Sequence, residues 1–140
     1  MFRKASLIVI GLTLMAAACG DDDTASDAPE VRIADSALGG ILTDADGNTL
    51  YLFVPDGRGA SVCNDDCADA WPPLLGSVSA GDGVDDSLLG TAARDDGGEQ
   101  ATYNGWPLYY FAADTATGDT NGQGVNDVWW VISAAGDAIQ

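Results

Sequence analysis

With 22 acidic against 5 basic side chains in 140 residues, and no histidine, the chain is a poor fit to several large function classes. Nucleic acid and anionic lipid both recruit proteins through Lys and Arg, so neither is an expected partner. The missing imidazole removes the usual general base, the histidine-dependent nucleophile pairs and the commonest transition-metal ligand.

The N-terminus carries Arg3 and Lys4, then an apolar run from Ala5 to Ala18 broken only by Ser6, Gly11 and Thr13. That run is shorter than the about 20 helical residues a bilayer core requires. It fits the apolar region of a signal peptide, residues 1–18, that is removed from the mature chain. It ends in Ala16-Ala17-Ala18-Cys19, which resembles the bacterial lipobox, with Ala16 where leucine is usual. Lipidation of Cys19 explains why the chain has three cysteines, since it leaves Cys63 and Cys67 as an even pair. Ordinary cleavage after an Ala-x-Ala site would instead leave Cys19 a free thiol. Several acyl chains, at about 0.8 kcal/mol per buried methylene, would hold the protein firmly on the membrane.

Residues 19–30 hold Asp21, Asp22, Asp23, Asp27 and Glu30 and little that could pack, as expected of a solvated tether. The mature chain keeps 22 acids and 3 arginines (Arg32, Arg58 and Arg94), a net charge of −19. That excess reads as solubility or adaptation to salt rather than as a binding device. Without lysine the mature chain offers no phosphate-cradling loop, and no Gly-x-Ser-x-Gly elbow is present. No enzyme activity and no cofactor are expected.

Residues 31–140 suit one domain, and that domain contains itself twice. A gapless shift of 58 residues superposes Gly47 on Gly105, Leu50 on Leu108, Tyr51 on Tyr109, Phe53 on Phe111, Asp56 on Asp114, Asp69 on Asp127 and Trp71 on Trp129. The copies run from about 38 to 80 and from 88 to 134. In the first, Gly40 to Thr43 and Thr49 to Val54 flank Asp44-Ala45-Asp46-Gly47, a hairpin signal. Asp65 to Trp71, stopped by Pro72-Pro73, predicts a helical turn or two. Leu88 to Arg94 predicts a strand. In the second copy Gln100 to Tyr103 and Pro107 to Phe111 flank the turn Asn104-Gly105, and Val128 to Ser133 predicts a last strand. The fold class is therefore mainly β: two pseudo-symmetric repeats of short antiparallel strands and hairpins in one compact domain, with a helical turn near 65–71.

Tyr51 and Phe53, like Tyr109 and Phe111, are two apart and share one side of a strand. Asp56 and Asp114 follow each strand end, where a short acceptor can close a turn onto backbone N–H groups, a role Asn could also fill. Tyr51-Leu52-Phe53-Val54-Pro55-Asp56 and Tyr109-Tyr110-Phe111-Ala112-Ala113-Asp114 resemble the Tyr-x-(Phe/Trp/Tyr)-x-x-Asp signature of the bacterial "secreted repeat" family of predicted lipoproteins. The stretches Tyr103 to Phe111 and Gly118 to Trp130 also look typical of it. The resemblance implies export, lipid anchoring and two repeats per domain, and implies no activity.

Three candidate sites compete with structural readings. Cys63 and Cys67, four apart and crowded by Asp65, Asp66 and Asp69, point to a structural disulfide. A redox dithiol would want a basic or helix-start setting, and zinc would want two further ligands. Asp119, Asn121, Gln123, Gly124 and Asp127 partly imitate a calcium loop, but Trp130 stands where a bidentate Glu belongs. Asp56 and Asp114 as a glycosidase pair are less economical than one turn device used twice. Tyr51, Tyr109, Trp71 and Trp129 read as core. Trp106 and Trp130 lack aromatic counterparts (Asn48 and Pro72) and are freer to serve a surface. The expected function is a lipid-anchored extracytoplasmic binding or structural module of the bacterial cell envelope, its partner an unidentified envelope protein or ligand. The alternative is a redox or electron-transfer accessory using Cys63–Cys67 or a partner's cofactor.

Overall fold

The computed structural model describes residues 28–140; the signal peptide, Cys19 and most of the tether lie outside the described residues. Short strands dominate: β1 (Glu30–Ser36), β2 (Gly39–Asp44), β3 (Tyr51–Phe53), β4 (Ser79–Ala80), β5 (Leu89–Ala93), β6 (Glu99–Tyr103), β7 (Trp106–Pro107) and β8 (Trp129–Val131). Among the described residues one short α-helix, α1 (Asp66–Ala70), and three 3-10 turns interrupt them. The strands form three small sheets, ordered β2-β1-β4, β3-β8 and β5-β6-β7. The fold is mainly β, as the alternation and turn residues predict. Among the described residues no helix is long and apolar enough to cross a membrane.

Strand β1 corrects the expected tether boundary. Glu30 opens the strand instead of ending the tether, and residues 31–36, unassigned from sequence, pair in full register with β2 from Val31↔Asp44 to Ser36↔Gly39. The strand is hard to see because few of its side chains are apolar. Val31 is fully buried, while Glu30 and Arg32 stay partly exposed and join through a 2.6 Å ion pair.

The turn at residues 44–47 forms, but it opens only a narrow hairpin. Asp44 N–H donates to Asn48 O at 3.0 Å and Leu50 N–H to Leu42 O at 3.0 Å, and then the chain diverges. Strand β3 pairs with β8, in the other copy, through Tyr51↔Val131, Leu52↔Trp130 and Phe53↔Trp129. The second copy repeats this geometry with Tyr109 to Phe111 lying beside residues 70–73. Ala112 N–H donates to Ala70 O at 2.9 Å, where Val54 N–H donates to Val128 O at 2.8 Å in the first. Pro72 and Pro73 stand where Trp130 and Val131 do, and proline has no N–H to give a ladder. The strand expected over 107–111 is accordingly reduced to β7 and isolated bridges, Tyr51↔Tyr109 and Pro73↔Tyr109.

The Asn104-Gly105 turn is as predicted. Both residues take positive φ (52° and 82°), as a tight two-residue hairpin requires, and β6 and β7 close around it. Two clusters make the core. One gathers Leu42, Leu50, Leu52, Leu108 and Ile132 with Trp106 and Trp130 packed against it. Trp106 and Trp130 therefore cover the core with part of their rings and are not free surface groups. The other gathers Tyr51, Tyr109, Trp71, Trp129 and Cys63 with Phe53 and Phe111.

Candidate functional site

The motif residues of the two copies meet at the centre of the molecule. Tyr51 N–H donates to Tyr109 O at 2.8 Å and Tyr109 N–H returns to Tyr51 O at 3.0 Å. From this pair of bonds each tyrosine reaches across to the aspartate of the opposite copy. Tyr51 Oη donates to Asp114 Oδ2 at 2.6 Å, and Tyr109 Oη to Asp56 Oδ2 at 2.6 Å. The other carboxylate oxygens do close turns: Val62 N–H donates to Asp56 Oδ1 at 2.8 Å and Asn121 N–H to Asp114 Oδ1 at 2.9 Å. Turn closure, expected from sequence, is thus half of what each aspartate does. A third crossing joins Tyr110 Oη to Asp44 Oδ2 at 3.0 Å.

The two copies differ at the phenol oxygens. Tyr51 Oη accepts from Gly122 N–H at 3.1 Å, whereas Tyr109 Oη lies 2.6 Å from Ser61 Oγ. Burial first, and then the facing carboxylates, push all three phenols (Tyr51, Tyr109 and Tyr110) well above the ordinary range. Burial also raises the Asp56 carboxyl, against the lowering influence of Tyr109, Val62 N–H and Arg94.

Beside these bonds the rings stack into a column, Phe53–Trp129–Trp71–Phe111. Centroids are 4.2 Å apart for Phe53–Trp129, 3.7 Å for Trp129–Trp71 and 4.0 Å for Trp71–Phe111. The two indoles are parallel to within 2°. Tyr51 meets Trp71 edge-on at 5.5 Å, and Tyr109 meets Trp129 at 5.2 Å. The indoles are buried, and Phe53 and Phe111 at the column's ends are partly exposed. Tyr and Phe of one strand contribute to the same side, as their spacing predicts.

A buried cation escaped sequence reasoning. The Arg94 side chain is 1 % exposed, and donates to Gln100 Oε1 (2.8 Å), Ser61 Oγ (3.2 Å), Cys63 O (3.2 Å), Asn64 Oδ1 (3.3 Å) and Asp96 Oδ2 (3.1 Å). Through Ser61 this network touches Tyr109 and Asp56. The available signal was scarcity: Arg94 is one of three cations among the described residues, at a strand end before a turn. Next to it Cys63 and Cys67 form a disulfide with α-carbons 5.1 Å apart. Cys63 is fully buried.

The calcium-like residues are spread out. Asp119 Oδ2 accepts Thr115 and Ala116 N–H at 3.0 Å each, Asn121 is held through its N–H to Asp114, and Asp127 is exposed. Among the described residues no group of three or more His, Cys, Asp or Glu is placed to hold a metal ion. A cleft of about 300 Å³ opens between the β1–β2 hairpin and the 117–120 loop, with Leu38 and Ile41 among its apolar lining and Thr43, Thr49, Thr117 and Thr120 among its hydroxyls. Thr49 Oγ1 donates to Asp119 O and Thr117 Oγ1 to Asp46 O, so two of these hydroxyls tie the copies together. The cleft stands at the small end of ligand-site volumes.

These features define a two-repeat β module in which each copy completes the other's tyrosine–aspartate motif. The chain belongs to the family described as a secreted repeat of unknown function, whose pattern matches it twice, over residues 32–75 and 90–133. The two matches are offset by the same 58 residues as the internal repeat, and together cover more than half of the chain. No curated protein and no solved structure matches it. Membership of a secreted family makes the chain extracytoplasmic, a setting in which disulfides persist.

Proposed function

We propose that this protein is a lipid-anchored binding or structural module of the bacterial cell envelope, tethered through Cys19 and without catalytic activity of its own. The observation that carries this reading is the use made of the family motif. Its tyrosine hydroxyls and one oxygen of each aspartate join the two copies while the other oxygen closes a turn, which leaves these residues as framework. No histidine or lysine stands by to tune Asp56 or Asp114 for proton transfer to a substrate. The Ala16-Ala17-Ala18-Cys19 sequence and the acidic residues behind it support an anchor and a spacer. The cleft at Leu38 and Ile41 is of a size to hold a small, largely apolar molecule. A redox role for the Cys63–Cys67 pair draws little support from its setting, since burial of Cys63 blocks attack on that sulfur and the neighbouring aspartates oppose a thiolate.

Fatty-acid labelling in cells tests the anchor. The wild type should take up label and sediment with membranes, and Cys19→Ser should lose the label and either leave the membrane or persist as precursor. Label that persists in Cys19→Ser, or never enters the wild type, would refute lipidation. Cross-linking in intact cells tests the module reading: capture of a reproducible envelope component supports it, and a purified protein that makes or breaks a covalent bond in a substrate overturns it.

A further inference from the structure

We propose that the Phe53–Trp129–Trp71–Phe111 column with its two tyrosines is a one-electron relay, which passes an oxidising equivalent from the surface of the protein to Tyr51 or Tyr109 and holds it there. This role goes beyond the anchored module and does not depend on it.

The starting point is the indole pair. Two parallel indoles 3.7 Å apart share a positive charge across both rings, which makes their oxidation easier than that of a lone indole. Each indole then touches a phenol edge-on, Tyr51 at Trp71 and Tyr109 at Trp129. Oxidised phenol is a strong acid, so a tyrosine can receive the charge from an indole only if a base stands ready for its proton. Asp114 and Asp56 stand 2.6 Å from the two phenol oxygens. Ring packing by itself does not call for this. A hydrophobic column could be completed by phenylalanine at 51 and 109, with no buried carboxylate to desolvate. Indole, phenol and base instead occur together, twice, related by the pseudo-symmetry of the fold, with the two indoles stacked on each other.

A diffusible one-electron oxidant, of the class of small inorganic or peroxyl radicals met outside the cytoplasm, takes one electron from the Trp71–Trp129 pair, which the partly exposed Phe53 and Phe111 connect to the surface. The phenol of Tyr51 or Tyr109 returns one electron to the indole pair and gives its proton to Asp114 Oδ2 or Asp56 Oδ2. The products are the reduced oxidant, a neutral tyrosyl radical and a neutral carboxylic acid. A thiol- or ascorbate-class reductant then supplies one electron, the carboxyl proton goes back to the phenolate, and the site is reset. The net result is one electron carried from reductant to oxidant, with no bond made or broken in the protein.

Pulse radiolysis with the azide radical tests the relay. The full chain is used with Trp106→Phe and Trp130→Phe, which leaves Trp71 and Trp129 as its only indoles. The indolyl absorption should decay by a first-order process independent of protein concentration, and the phenoxyl absorption should rise at the same rate. Tyr51→Phe with Tyr109→Phe should abolish that rise although Tyr103 and Tyr110 remain. Asp56→Asn with Asp114→Asn should slow it without reducing the initial indolyl yield. A merely structural tyrosine–aspartate bond would leave this rate unmoved. The relay is overturned if indolyl decay is only bimolecular, if the phenoxyl rise survives loss of both tyrosines, or if the two Asn substitutions leave the rate unchanged. Should the two-indole variant lose its near-ultraviolet circular dichroism, the same comparison in the four-tryptophan chain must show a smaller first-order rise that disappears with Tyr51 and Tyr109.

Discussion

Asp56 and Asp114 occupy equivalent places, yet the same substitution should affect them differently. In Asp114→Asn the side-chain oxygen can keep Asn121 N–H, which turns the amide NH2 toward Tyr51 Oη. That oxygen already accepts from Gly122 N–H, so the phenol hydrogen is left without an acceptor, at a cost of about 1–2 kcal/mol. In Asp56→Asn the phenol of Tyr109 can redirect its hydrogen to Ser61 Oγ, 2.6 Å away, and the desolvated charge disappears. Its cost should be near zero, and both Ala variants should be worse than their Asn counterparts. Chemical denaturation of the four variants checks the ranking; equal losses from the two Asn variants would contradict it. The charge has a pH signature as well. Burial raises the Asp56 carboxyl in the folded state, so its contribution to stability is fully present below the unfolded pKa and lost as pH rises through the folded one. Asp56→Asn should remove that part of the pH dependence. The phenols of Tyr51, Tyr109 and Tyr110 lie well above their ordinary range, so their contribution is lost only at alkaline pH. In a spectrophotometric titration these three should ionise together with unfolding, not before it. The turn role of the aspartates was legible from their position after a strand. Their phenol partners were not, because those come from the other copy, 63 and 53 residues away.

Between neighbouring elements the ring column sets tight limits on what the adjoining loop can carry. A Cβ at Gly122 would lie 2.8 Å from Trp71 and 2.9 Å from Tyr51, so Gly122→Ala must push a buried ring aside. An overpacked site of this kind costs about 1–3 kcal/mol, and the stacked indoles should lose part of their near-ultraviolet circular dichroism in proportion. A variant of wild-type stability and spectrum would show that the loop gives way easily. Removing the disulfide acts differently, since a five-residue loop contributes about 2 kcal/mol through the unfolded chain. Cys63→Ala with Cys67→Ala should cost that amount and leave the indole spectrum intact. The aromatic spacing, the Asn104-Gly105 turn and the helical turn before Pro72 were legible because each is a local signal, written within a few residues. Strand β1 was not, since its alternation carries only Val31 and Ile33 as large apolar residues. The partner of β3 was not legible either. A repeat shows that two segments are alike, but hydrogen bonding can satisfy each copy internally or, as here, across the pair.

For the whole molecule the dominant fact is charge. The sequence carries 22 acids and 5 bases, and the folded part draws its carboxylates closer together than the unfolded chain does, so self-repulsion opposes folding. The described residues offer three ion pairs in return. Two of them are exposed on both sides, and such pairs are worth little. Only Arg94 is buried, and its bonds are mostly to neutral acceptors, which salt hardly screens. Added salt should therefore remove more repulsion than attraction. Between 0.01 M and 0.15 M the screening length falls from about 30 Å to about 8 Å, and the midpoint of thermal unfolding should rise over that interval and then level off. Sodium and potassium chloride should act alike. Calcium separates general screening from a bound ion, because Asp119, Asn121 and Asp127 partly imitate a calcium loop. Asp119 spends one carboxylate oxygen on two backbone N–H groups, and Asp127 is exposed some way along the loop. Calcium and magnesium at equal ionic strength should accordingly raise the midpoint equally. If calcium stabilises at concentrations too low to screen, and Asp119→Ala removes that effect, then the 114–127 loop is an ion site and screening is only part of the account.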